Sequence, residues 1–83
     1  MEPVLLVEDK AELRAMLRKA LERMGYAVED APDGNSAVTK IRARRFLVVL
    51  TDLKLPGLSG IDVLREVKDA DSGIPVILMT AYG

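Results

Sequence analysis

Three short, unbroken apolar runs constrain this chain more than anything else in it. "PVLLVED" (residues 3–9), "FLVVLTD" (46–52) and "IPVILMT" (74–80) are rich in Val, Leu or Ile, and the first two end in carboxylates. Each is too short for a stable helix, and unbroken apolarity rather than alternation is the pattern of a strand buried on both faces. Such a strand requires a parallel sheet with helices on its faces, and the intervening segments supply them. Leu13, Met16, Leu17, Ala20, Leu21 and Met24 recur at helical spacing with Arg, Lys and Glu between them, and Gly25 closes the pattern. "YAVEDA" (26–31) is short and mixed, as expected of a strand at a sheet edge.

After the turn signal "PDGN", a second helical stretch directs Ala37, Val38 and Ile41 inward and leaves Lys40, Arg42, Arg44 and Arg45 to solvent. "SGIDVLREVKDA" (59–70) is a third helix, with Ser59 and Asp62 at the spacing of a capping box. The order β-α-β-α-β-α-β predicts an α/β fold around a parallel sheet. With 83 residues, 49% apolar and 30% charged, the chain reads as one small domain without linker or repeat.

Right-handed crossovers place every strand's carboxyl end on one edge of such a domain, and ligands bind where the strand order reverses. The first strand ends in Glu8-Asp9, the third in Thr51-Asp52, and the fourth in Thr80. If the first and third strands are neighbours, three carboxylates converge there. Like charges that close raise one another's pKa or demand a cation, and an all-oxygen set suits Mg²⁺ better than zinc or copper. A carboxylate beside a divalent cation and open to a loop can be a nucleophile toward phosphorus, which gives Asp52 a role. Pro56, Gly57 and Gly60 would shape that loop so that backbone can approach a ligand. Plainer readings stand beside these. Asp9 and Glu12 fit an N-cap pair, Asp52 an Asx turn, Thr80 a β-branched strand residue and Lys54 a solvated loop charge.

Composition excludes several functions. The 13 acidic and 12 basic residues are mixed along the chain and leave a net charge of −1, so neither nucleic-acid binding nor a polybasic membrane patch is expected. No apolar run is long enough to span a membrane. The chain has no cysteine or histidine, which removes disulfides, thiolate sites, His-based catalysis and the commonest zinc ligands, and fits a reducing, cytoplasmic compartment.

At these residues the sequence resembles the receiver domain of two-component response regulators. "VLLVEDK", "APDGNSAV", "LTDLKLPGLSGIDVL" and "IPVILMTAYG" are similar to that family's blocks in order and spacing, and the last two resemble the nitrogen-regulatory class of enhancer-binding activators. The resemblance implies a flavodoxin-like, three-layer fold with strand order 2-1-3-4-5 and a signalling rather than enzymatic role. It also implies that Asp52 accepts a phosphoryl group from a sensor histidine kinase. By position, Glu8, Asp9, Asp52 and the main-chain carbonyl of Lys54 match Mg²⁺ ligands, Thr80 the hydroxyl that moves toward the phosphoryl group, and Ala81 the small residue beside it.

Leu47 departs from the family, which often has an acid there, and the effect is expected at the surface. Against the family's pattern residues 1–83 read as a partial receiver, truncated after the fourth strand. The fourth helix, fifth strand and fifth helix would be missing, and with them the lysine and aromatic residue of the switch. On that reading switching is impaired and the "VILM" strand is left as a bare edge, so a homodimer or larger assembly, through strand pairing or exchange, is expected. The alternative is a phosphorylation-incompetent fragment serving only as an interaction module. A haloacid-dehalogenase phosphatase would need an acid where Lys54 stands, and a flavodoxin would need a phosphate-cradling first loop where "EDKAE" stands.

Overall fold

The structure is a computed structural model that describes residues 2–71 and 73–79. Its elements are β1 (Val4–Val7), α1 (Ala11–Arg23), β2 (Val28–Ala31), α2 (Gly34–Ala43), β3 (Val48–Asp52), α3 (Gly60–Ala70) and β4 (Val76–Met79). The four strands form one parallel sheet in the order β2-β1-β3-β4. The chain steps from β1 outward to β2 and then back across β1 to β3. With right-handed crossovers, this reversal puts α1 on one face and α2 and α3 on the other. The three-layer α/β architecture is the expected one, and β2 is the edge strand that "YAVEDA" foretold.

The core lies between the sheet and the α2–α3 layer. Leu5, Val7 and Val49 meet Ala37 and Ile41 of α2 and Val63 and Val67 of α3, with Phe46 and Ile74 closing one end. α2 and α3 start where side chains can serve the free N–H groups of a first turn. The Asp33 carboxylate accepts from Ser36 N–H at 2.7 Å, and Ser59 and Asp62 form the reciprocal capping box their spacing implied. Around this layer, Lys40 and Arg44 pair with Glu29, and Arg42 with Glu66.

One helix and one strand are less buried than their patterns suggest. Of the six apolar residues that recur at helical spacing along α1 and its C-cap, only Leu13, Leu17 and Leu21 are half-buried; Met16 and Met24 are 60% and 69% exposed, and Ala20 is exposed. The described residues give α1 only β1 and β2 to lie against, so one row of the helix meets the sheet and the next does not. Similarly, "IPVILMT" reads as a buried strand, yet Ile77 and Leu78 of β4 are 52% and 36% exposed. β4 has β3 on one side and no described strand on the other. Leu47 is exposed, consistent with a surface position.

Candidate functional site

β1 and β3 are neighbours in parallel register, with Val7 opposite Thr51. One residue further along each strand stand Glu8 and Asp52, at the carboxyl edge where the strand order reverses. Glu8, Asp9 and Asp52 each offer a carboxylate oxygen, and these oxygens lie within 4.8 Å of one another. Glu8 and Asp52 are buried, at 1% and 6% exposure, while Asp9 is exposed. The sheet register therefore produces the convergence that the strand ends predicted.

Local structure holds each member. Glu8 donates its N–H to Ala31 at 3.1 Å, and its Oε2 accepts from Lys10 N–H at 3.0 Å. Beyond Asp52, Leu53 N–H donates to Met79 and Gly60 N–H to Leu53, tying the loop to β4 and to the start of α3. Gly60 has a packing role at the end of the loop. A Cβ there would lie 2.2 Å from the Asp52 carbonyl oxygen, so the glycine serves the close approach of α3 to β3. Gly57, with φ of 78°, occupies the left-handed region that its turn requires.

The N-cap reading of Asp9 is also overturned. The residue leading into α1 is Lys10, without a side-chain cap, and Asp9 is left free of the helix. Nor does Asp52 form an Asx turn, since no described backbone N–H donates to its carboxylate. Lys54 lies in the loop with an exposed side chain, and no described residue donates to its carbonyl, which leaves that oxygen available. Thr80 and Ala81 lie outside the described residues. A cleft of about 430 Å³ between the C-terminal ends of α2 and α3 is remote from the carboxylates, and its Arg42 and Arg45 are paired with Glu66 and Asp71. It offers no comparable chemistry.

The electrostatics state what the trio lacks. Burial pushes the Glu8 carboxyl up from 4.5 to about 7, opposed by the Lys10 N–H and reinforced by the carboxyls of Asp52 and Asp9. Without a cation, a proton on Glu8 relieves the crowding of charge. A divalent cation would do so more completely, and an all-carboxylate donor set, two members buried, fits Mg²⁺ or a similar hard ion.

This has a measurable consequence. Because Glu8 holds its proton more tightly folded than unfolded, its contribution to stability is full below pH 4.5 and is lost as pH rises through about 7. Urea unfolding in a chelating buffer should therefore show stability falling between pH 5 and pH 8, by at most about 3 kcal/mol. Glu8→Gln should remove that slope. The Asp33 carboxyl, held low by its bond from Ser36 N–H, acts in the opposite sense, its stabilisation being lost only as pH falls below the carboxylate range.

Comparison with known proteins identifies where this arrangement recurs. The chain is 38% identical over 82 residues to sporulation initiation phosphotransferase F of Bacillus subtilis, covering 99% of this chain and 66% of that protein. It is 38% identical over 80 residues to transcriptional regulatory protein ResD of the same organism, covering 96% of this chain and 33% of that one. The chain thus spans between a third and two thirds of the length of these relatives. Among solved structures, the response regulator TrrA of Thermotoga maritima, in complex with Mg²⁺ and BeF, superposes with a TM-score of 0.92 at 31% identity, covering 100% of this chain and 72% of that one. TrrA in complex with the histidine kinase ThkA gives a TM-score of 0.89 at the same identity and coverage. The profile of the response regulator receiver domain matches residues 4–83, almost the whole sequence. With the flavodoxin-like sheet and the acidic cluster at its switch point, this match establishes that the chain belongs to the response regulator receiver domain family.

Proposed function

We propose that this chain accepts a phosphoryl group on Asp52 from the phosphohistidine of a sensor kinase, with Mg²⁺ held by Glu8, Asp9, Asp52 and the Lys54 carbonyl. The observation that carries the proposal is the trio of carboxylate oxygens within 4.8 Å at the β1–β3 edge, with two of the three side chains buried. In the transfer an Asp52 carboxylate oxygen attacks phosphorus, the P–N bond to the kinase histidine breaks, and the released imidazole takes a proton from solvent. When bound, Mg²⁺ would neutralise the acidic trio and the oxygens of the transferring group. The chain's own contribution is position. Pairing of β3 within the sheet, and the backbone bonds that tie Leu53 to Met79 and to Gly60, fix the Asp52 backbone.

In the same reading the Thr80 hydroxyl contacts the phosphoryl oxygens, beside the small Ala81. The blocks "LTDLKLPGLSGIDVL" and "IPVILMTAYG" support an origin in the nitrogen-regulatory class, and the absence of cysteine fits the cytoplasm. No described helix is long and apolar enough to cross a membrane. The test is incubation with an autophosphorylated kinase and Mg²⁺, followed by mass mapping. One added phosphoryl group on Asp52 is expected, and its absence with every active kinase and with small acyl-phosphate donors would count against the proposal.

The exposed apolar residues of β4 support a second part of the reading, that the 83-residue chain self-associates through this strand. Light scattering at micromolar concentration should give a dimer mass or higher, and Ile77→Lys should restore the monomer. A monomer mass for the unaltered chain would contradict this.

A further inference from the structure

Glu8 is held at a third point, by a residue that the chemistry above does not use. Nη1 of Arg14 donates to the main-chain carbonyl of Glu8 at 2.8 Å. Arg14 lies in the first turns of α1, is half-buried, and reaches back across the loop formed by residues 8–10. No described carboxylate pairs with its guanidinium, which is committed to that carbonyl instead.

The loop needs such an anchor. α2 and α3 each begin with a side-chain cap that fixes the entering chain, through Asp33 and through the Ser59–Asp62 box, whereas α1 begins at Lys10 with none. This uncapped entry also carries Glu8 and Asp9, which crowd acidic groups beside Asp52. A loop held only at Glu8 N–H and through its own Lys10 N–H could relax away from β3 and open the trio.

We propose that Arg14 is a positioning residue for the acidic pair: by holding the Glu8 carbonyl, it keeps Glu8 and Asp9 at the spacing a divalent cation needs beside Asp52. This rests on the reading that the trio holds Mg²⁺. Partners one shell beyond the ligands of a metal site typically change affinity by about 10- to 100-fold when removed. Coulomb's law alone gives the opposite sign here, because deleting a cation near the site would favour Mg²⁺. The direction of the change therefore separates positioning from charge.

The experiment is Mg²⁺ titration of the wild type, Arg14→Ala, Arg14→Lys and Leu17→Ala, with amide exchange at Lys10 in the metal-free proteins. Leu17 is half-buried on the same helix and its side chain has no donor to offer the Glu8 carbonyl, so its variant reports loss of packing alone. Arg14→Ala should weaken Mg²⁺ binding at least about tenfold and speed exchange of the Lys10 N–H. Arg14→Lys should recover most of both effects, and Leu17→Ala should lower stability without either. Should Arg14→Ala fail to fold, Arg14→Gln, which keeps the aliphatic stem, carries the same expectation. Binding by Arg14→Ala as tight as or tighter than wild type, or an equal loss in Leu17→Ala, overturns the proposal. If the wild type does not bind Mg²⁺, the reading of the trio fails, and the exchange measurement alone decides: unchanged exchange at Lys10 overturns the role of Arg14.

Discussion

Asp52→Asn will abolish phosphoryl acceptance while making the metal-free protein more stable. The two effects share one cause. Asp52 is a buried carboxylate placed beside Glu8 and Asp9, and its contacts with Glu8 help to push the Glu8 carboxyl up to about 7. An amide of the same shape keeps the packing and removes one charge from the cluster, so the repulsion that metal-free folding must overcome is reduced. The gain should be about 1 kcal/mol at pH 8, on the order of one close like-charge contact in a solvated site. Saturating Mg²⁺ should reverse the ranking, because the cation stabilises the wild type through three carboxylates and the variant through two. Chemical denaturation with chelator and with Mg²⁺ checks both signs. A variant less stable than wild type in chelator would show that Asp52 has a structural role in the fold.

Gly60→Ala will be the most destabilising single-methyl addition around the site. Its Cβ would lie 2.2 Å from the Asp52 carbonyl oxygen, 2.9 Å from Leu53 Cα and 3.0 Å from Asp52 C, all of them backbone atoms that cannot swing aside. Relief requires α3 to move away from β3, and α3 carries Val63 and Val67 of the core. Overpacking of this kind costs about 3 kcal/mol or more, a large share of the stability of so small a domain. The same displacement moves the Asp52 backbone, so Mg²⁺ affinity should fall in whatever fraction remains folded. Gly57→Ala is the contrasting case. Its penalty comes from the positive φ, and a Cβ there would meet only the Asn35 side-chain amide at 3.2 Å, so the cost should be nearer about 1 kcal/mol. Urea unfolding of both variants checks the order, and equal costs would refute the close-approach argument.

Much of this architecture is legible in the sequence because its signals are local. Unbroken apolar runs mark β1 and β3, the Ser59–Asp62 spacing marks the start of α3, and the strand ends mark Glu8, Asp9 and Asp52 as candidates to meet. What the sequence does not show depends on which surfaces face each other. Six apolar residues at helical spacing say that α1 has an apolar side, but not that β1 and β2 take only the row of Leu13, Leu17 and Leu21. The spacing of Asp9 and Glu12 fits a cap, yet the backbone enters the helix one residue later and leaves Asp9 at the cluster. Gly60 reads as a loop glycine until α3 is laid against the end of β3. Arg14 carries no local signal at all, since its partner is a main-chain carbonyl on the other side of the helix start.

The central claim is that Glu8, Asp9 and Asp52 form one metal-dependent acceptor site. Calorimetric titration with Mg²⁺, followed by beryllofluoride as a mimic of the phosphoryl group, tests it most directly in the wild type and in Asp52→Asn. The predicted result is a single Mg²⁺ site in the wild type and beryllofluoride binding that requires both Mg²⁺ and the Asp52 carboxylate. No response to Mg²⁺ in the wild type, or beryllofluoride binding that survives Asp52→Asn, would contradict it.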